Sequence, residues 1–240
     1  MMSINAQGMQ SQELNQRIRA AGDCCVLTNC CGQRFLGAGM SGKTIIIDGI
    51  PGNALGAYLN GAEITVHSNA QDAVGDTMNA GRIVIHGSIG DAAGYAMRGG
   101  EIFVKGDAGY RAGIHMKEYK DKIPVIVIGG CAGSFLGEYQ AGGIILVLGL
   151  NAMGKRIVRN FPCTGMHGGK LILRGDCSDL GFPSQVSVRR AEEKDMALIT
   201  KYVEEYCALF GGDVREILDA TFTVVSPDSA NPYKQMYVAN

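Results

Sequence analysis

The chain has 240 residues, a formal net charge of −1, 35 glycines and six prolines. That length suits one large domain or a domain with an appendage, and the charge balance offers no basic footprint for nucleic acid or a membrane surface. No apolar run approaches the ~20 residues of a membrane span, and the glycines follow neither a collagen period nor a low-complexity linker pattern.

The opening segment, MMSINAQGMQSQELNQRIRA, is polar and lacks a signal peptide's apolar stretch, which predicts a cytoplasmic protein with reduced thiols. The eight cysteines then read as small buried residues rather than a metal framework. Cys24–Cys25 and Cys30–Cys31 are adjacent pairs, and neighbours in a strand point to opposite faces, so the four would not converge on one ion. Residues 1–36 are expected to form an N-terminal cap and first strand.

A repeat follows. Gly37, Gly56, Gly75, Gly94 and Gly113 recur every 19 residues, the mark of a chain wound as a solenoid. In register with them come IIID at 45–48, ITVH at 64–67, IVIH at 83–86 and IFVK at 102–105. A five-residue insertion around 117–122 breaks the count, which resumes as IVIG at 126–129, ILVL at 145–148 and LILR at 171–174. Residues 37–182 therefore predict a coil of about seven turns. Ile45, Ile64, Ile83, Ile102, Ile126, Ile145 and Leu171 form one inward ladder; Ile47, Val66, Ile85, Val104, Ile128, Val147 and Leu173 form another. The residue between them in each run, Ile46, Thr65, Val84, Phe103, Val127, Leu146 and Ile172, points outward in a mostly apolar stripe that something must cover.

Between runs stands GxxGxxxG, as Gly49, Gly52, Gly56; Gly87, Gly90, Gly94; Gly106, Gly109, Gly113; and Gly130, Gly133, Gly137. A dinucleotide fingerprint should occur once, after a strand and opening a helix, so four copies read as corners that need positive φ or close backbone approach. Ala54, Ala73 and Ala92 are expected to line a narrow interior. Asp72, Asp76, Asp91 and Asp107 lie beside these glycines, where aspartate accepts from turn amides.

Polar residues cluster where the rhythm fails. Arg98, Arg111, His115 and Lys117, with Tyr110, precede the insertion and are expected to form an interaction cluster, salt-bridged corners being the plainer reading. The second irregular stretch, 151–169, holds Lys155, Arg156, Arg159, Cys163 and His167; the last two are spaced to pair as nucleophile and base, although a plain loop fits better. His67 and His86 share a column with Asp48, Lys105 and Arg174, which reads as a solvated edge. These residues suggest no catalytic, cofactor-binding or metal-binding set. Beyond the coil, Met196, Ile199, Val203, Tyr206 and Phe210 follow a helical period within 189–210 and offer one cover for the outer stripe, a partner subunit being the other candidate. A short helix over 213–219 and a strand-like TFTVV follow, so 183–240 reads as a helical segment and tail packed on the coil.

The repeated GxxGxxxG, with DAVGDTMNAG at 72–81, GYAMRGGEIFVKG at 94–106, GYRAGIHMKEY at 109–119, FLGEYQAGG at 135–143 and GMHGGKLILRG at 165–175, resembles the C-terminal GXGXG domain of the glutamate synthase large subunit. LNQRIRAAG and the tail around 227–237 extend the likeness, which is nearest to the form that exists as a separate polypeptide. A related coil in one of the subunits of formylmethanofuran dehydrogenase is a weaker match. The resemblance implies a mainly β fold, a right-handed single-stranded parallel β-helix, with no catalytic residue of its own. It implies a scaffold that positions a glutaminase-type subunit and an FMN-binding synthase for ammonia transfer, with FMN and an iron–sulfur cluster held only by partners. A barrel of ~250 residues would not fit beside the coil, and no amidotransferase nucleophile stands at Met2 or Ser3. Two other functions compete: a component like that coil-bearing subunit in a formylmethanofuran dehydrogenase-type redox enzyme, and a free-standing homo-oligomeric enzyme or binding protein with its site near Arg98, Arg111 and His115.

Overall fold

The structure is a computed structural model that describes residues 1–228. The elements run β1 (Met2–Asn5), α1 (Ser11–Ala20), β2 (Cys24–Cys31), β3 (Thr44–Ile50), β4 (Asn60–Val66), β5 (Ala80–Ile85), β6 (Glu101–Val104), β7 (Val125–Ile128), β8 (Ala141–Val147), β9 (Gly168–Arg174), β10 (Val186–Arg190), α2 (Glu193–Phe210), α3 (Val214–Leu218) and β11 (Phe222–Pro227). Strands β1 to β9 pair in parallel and in chain order, a β-solenoid, and β11 and then β10 close the sheet antiparallel.

The ladders form as the period-2 pattern requires. Ile45 registers with Ile64, and the pairing continues through Ile83, Ile102, Ile126 and Ile145 to Leu171. Every residue of both inward ladders is at most 1% exposed. Parallel stacking of one side-chain type buries it against its own copy above and below, so each added turn extends the same core.

The first 36 residues also enter the ladder: Ile4 pairs with Leu27, and Leu27 with Ile47. Helix α1 then stands where a preceding corner would be. Its Leu14 and Ile18 plug the coil interior. Its polar side chains replace the missing backbone partners: Arg34 N donates to Ser11 Oγ (2.9 Å), Gly37 N to Asn15 Oδ1 (3.3 Å), and Arg19 donates to Ala38 O (2.9 Å). At the other end the antiparallel pairing of β9 with β11 stops the parallel repeat, which removes a template for further strand addition.

Helix α2 covers the outer stripe over the later turns. Ile199, Tyr202, Val203 and Tyr206 pack with Phe103, Val127, Leu146 and Ile172 in a second core. Two ionic clusters fix it. Asp195, 1% exposed, accepts from Arg189 (2.6 and 3.2 Å) and lies 3.6 Å from Lys170 Nζ. Arg82 bridges Glu101 and Glu205, the latter at 2.8 Å. The Arg189 hydrogen bonds hold the Asp195 carboxyl down at about 2. The helix begins at Glu193, four residues later than the start of the predicted helical span, because 186–190 is recruited as strand β10 by β11. It does not reach the earliest turns, where Val26, Ile46 and Thr65 remain half-buried.

Candidate functional site

The corners carry the unusual backbone. In every turn three residues at alternate positions have left-handed φ: Phe35, Gly37, Gly39; Ala54, Gly56, Tyr58; Ala73, Gly75, Thr77; Ala92, Gly94, Ala96; Arg111, Gly113, His115; Phe135, Gly137, Tyr139; and Phe161, Cys163, Gly165. Their amides alternate direction. Arg111 N donates up the coil to Ser134 O (2.9 Å), Gly113 N down to Ala93 O (2.8 Å), and His115 N up to Glu138 O (3.0 Å). A non-glycine residue held there costs about 1–2 kcal/mol, which these inter-turn bonds must offset.

Positive φ alone therefore does not select glycine. The middle position selects it because a Cβ there would point inward: on Gly56 it would lie 2.6 Å from Ile83 Cδ1, one turn along. Cys163 occupies the same column at the last turn, where no parallel strand follows β9. The second glycine of the motif is different. Gly90 and Gly133 have ordinary φ and are small because the preceding turn's Asp72 carboxylate or Gly109 backbone lies against them.

The flanking left-handed positions point outward, which corrects the expectation that Ala54, Ala73 and Ala92 line the interior; Ala73 and Ala92 are half-buried, and Ala54, only 5% exposed, stands outside the core cluster. They share their column with Arg111, Phe135 and Phe161; the small residues inside are Ala93 and Ala112, both fully buried. The outward columns build a packed ladder along one edge. His115 stacks on Tyr139 at 5.1 Å and 9° and meets Tyr95 edge-on at 5.9 Å. The Arg111 guanidinium lies 4.9 Å over the Phe135 ring and donates to Glu138 at 3.0 Å, and Phe135 packs on Phe161 at 5.3 Å. Phe35, Tyr58, Tyr110 and Phe161 on this edge are each more than half exposed. Side chains locked by stacking lose little entropy on contact with a partner, so the edge is suited to recognition.

The structure thus places Arg111 and His115 side by side on one edge. Arg98 and Lys117 stand in an adjoining column one turn apart, their amides donating to Met78 O and Met97 O. The aromatic members of the ladder escape a motif search, because Phe35, Tyr58, Tyr139 and Phe161 differ in type from their neighbours on other turns. Only their spacing in the repeat marks them.

The other polar residues are occupied. Asp72, Asp91 and Asp107 accept from the amides of Asp91, Tyr110 and Cys131 at 2.6–2.9 Å, as turn chemistry predicts, while Asp76 accepts from Thr77 Oγ1. His67 pairs with Asp48 at 2.7 Å, and His86 sits edge-on to Phe210, its pKa lowered by burial and by His67 and Lys105. Cys163 and His167 do not pair: Cys163 is fully buried with its pKa pushed up by desolvation, and His167 Nδ1 lies 3.0 Å from Gly165 O. A thiol so placed is not a nucleophile. Among the described residues no helix is long and apolar enough to cross a membrane.

Fold and edge together define a β-solenoid with a rigid aromatic and cationic corner. The chain belongs to the GXGXG motif family, whose model matches residues 4–228. It is 44% identical to an uncharacterized protein of Methanocaldococcus jannaschii over 98% of this chain and 95% of that one. It is similar in fold to a chain of the formyltransferase/hydrolase complex (FhcABCD) from Methylorubrum extorquens, solved with methylofuran, at a TM-score of 0.61 and 18% identity over 95% of this chain and 91% of that chain.

Proposed function

We propose that this protein is a non-catalytic scaffold subunit of a multi-subunit enzyme complex and that the corner ladder is a docking edge for its partners. The observation that carries this reading is the ladder itself: Arg111 over Phe135, Phe135 against Phe161 and His115 on Tyr139, with Arg111, His115 and Phe161 exposed, on a backbone fixed by inter-turn hydrogen bonds. The nine parallel rungs β1 to β9 extend about 38 Å at ~4.8 Å per gap, enough to hold two enzyme modules at a set separation. The units 1–36, 37–182 and 183–240 serve this reading as cap, coil and buttress; 229–240 lie outside the described residues.

Of the complexes suggested, a formyltransferase/hydrolase or formylmethanofuran dehydrogenase type draws the stronger support. The similar chain there is matched over 91% of its length, so it too is a polypeptide made almost wholly of this fold. The glutamate synthase reading keeps one specific support, the motif run from DAVGDTMNAG to GMHGGKLILRG. In that case glutaminase-type and synthase partners would hold the FMN and iron–sulfur cluster.

Purification of the tagged chain from its native cell tests both readings. Stoichiometric formyltransferase or hydrolase subunits are expected under the first, a glutaminase and a flavoprotein under the second. A chain that purifies alone and turns over a substrate would remove the scaffold reading and restore an enzyme sited near Arg98, Arg111 and His115.

A further inference from the structure

One corner column satisfies its amides through side chains of the turn before. Asp72 N donates to Asn53 Oδ1 (3.4 Å), Asp91 N to Asp72 Oδ1 (2.9 Å) and Tyr110 N to Asp91 Oδ1 (2.8 Å). At the far end Asn160 N donates to Ser134 Oγ (3.2 Å). The series fails at Ser134, because the residue one turn earlier is Tyr110, whose side chain brings no carboxylate. The Ser134 amide has no acceptor among the described residues, although Ser134 is only 7% exposed. The neighbouring glycines register the same change. A Cβ on Gly90 or Gly109 would strike the carboxylate of Asp72 or Asp91, whereas on Gly133 its three nearest atoms would all be backbone. A pocket of about 450 Å³ opens at this place, with Gly109 and Gly133 as its floor and Tyr110, Ser134, Asp107 and Arg159 around it. Arg159 makes no ion pair among the described residues. Asp107 is engaged by Cys131 N (2.6 Å) and Asn151 Nδ2 (3.1 Å). Burial and Asp107 push the Cys131 thiol up, so it stays protonated and adds no negative charge to the wall.

We infer that this pocket binds one carboxylate, an Asp or Glu side chain of a partner polypeptide, in the place that Asp72 and Asp91 fill on earlier turns. One oxygen would accept from the Ser134 amide and the other would pair with the Arg159 guanidinium. The Ser134 hydroxyl, which accepts from Asn160 N, keeps its own proton to donate. A buried N–H without an acceptor is costly, and a charge-assisted bond is the strong way to satisfy it. Arg159 is the one cation among the described residues lining the pocket and Asp107 faces it, so a singly charged carboxylate fits better than a phosphate. The residues that follow Tyr110, Ser134 and Asn160 in the chain are Arg111, Phe135 and Phe161 of the corner ladder. A partner seated on that ladder therefore reaches the pocket. The inference rests on the docking edge proposed above and adds the chemistry of one contact to it.

The first probe is acetate, titrated into the isotope-labelled full chain and followed by NMR. The Ser134 amide proton should move downfield and saturate, and Arg159→Gln should weaken the apparent affinity about tenfold. Tyr110→Asp restores an internal acceptor, so it should abolish the acetate response and raise the melting temperature. Tyr110→Ala removes the ring alone and should keep the response. A Ser134 amide that ignores acetate, or that responds unchanged in Tyr110→Asp, overturns the site. The second probe identifies the source of the carboxylate. In the complex purified from the native cell, Arg159→Lys followed by carbodiimide coupling should join position 159 to an Asp or Glu of another polypeptide, identified by mass spectrometry. Acetate binding without such a link, while partners co-purify in fixed ratio, overturns the partner assignment and leaves the scaffold reading standing. A chain that purifies alone and is active removes both.

Discussion

Two outward surfaces of this coil look alike in composition and end differently. The sheet face over β6 to β9 presents Phe103, Val127, Leu146 and Ile172, and α2 buries all four. The corner edge presents Phe35, Tyr58, Tyr110 and Phe161, and among the described residues they remain more than half exposed. The difference is in how each surface is ordered. The sheet face is a row of mostly aliphatic side chains that would be unstable in water without a cover. The corner edge is set by left-handed backbone at Phe35, Tyr58 and Phe161 and, over the later turns, by stacking such as His115 on Tyr139 and Phe135 on Phe161, so it keeps its shape uncovered. The first surface belongs to folding and the second is available for assembly.

Substitutions should separate the two. The largest effect is expected from Phe103→Ala, which opens a cavity under α2 beside Tyr202 and should cost about 3–5 kcal/mol by urea denaturation. The matched Phe161→Ala on the corner should cost less than about 1 kcal/mol; equal losses would erase the distinction. Asp195→Asn should cost about 2 kcal/mol, because it puts a neutral amide in the buried Asp195 position and leaves the partly exposed Arg189 guanidinium without its carboxylate. Since the folded Asp195 carboxyl is depressed to about 2, its stabilisation is complete above the unfolded value of ~3.9 and fades as pH falls toward 2. Denaturation from pH 5 to 2 should therefore show an acid-sensitive component that the Asn variant lacks.

Within the corner itself, Gly94→Ala should cost about 2–3 kcal/mol, combining left-handed strain with a Cβ driven into Ile126. Gly137→Ala should cost only about 1 kcal/mol, because its Cβ meets Gln140 Oε1 at 3.0 Å and Ile145 at 3.6 Å and no closer atom. Equal costs would show that φ, rather than the inward clash, selects glycine in this column. The smallest stability effect is expected from Arg111→Ala, below about 1 kcal/mol since the guanidinium is half exposed, but with weakened co-purification of partners. A stable Arg111→Ala chain that assembles normally would move the docking edge elsewhere.

The legible part of the fold was the part governed by repetition. Ile45 to Leu171 could be stacked from the sequence because a parallel ladder repeats one side-chain type at one spacing. Glycine at the corners was legible as a constraint, but its two causes were not. Gly56 is limited by an isoleucine a full turn away, and Gly90 by a carboxylate of the preceding turn. The corner ladder escaped because its members are chemically mixed, and the reading of Ala54, Ala73 and Ala92 as interior residues failed for the same reason.

By itself, then, the 19-residue period determined a stacked coil, its two inward ladders and the places where the rhythm breaks, because hydrophobic periodicity is a local property that adds turn by turn. Only the tertiary structure decided which outward surface is covered and which stays open. That choice depends on where α2 lies, and its position is set by contacts such as Arg82 with Glu205, 123 residues apart, which no local pattern encodes.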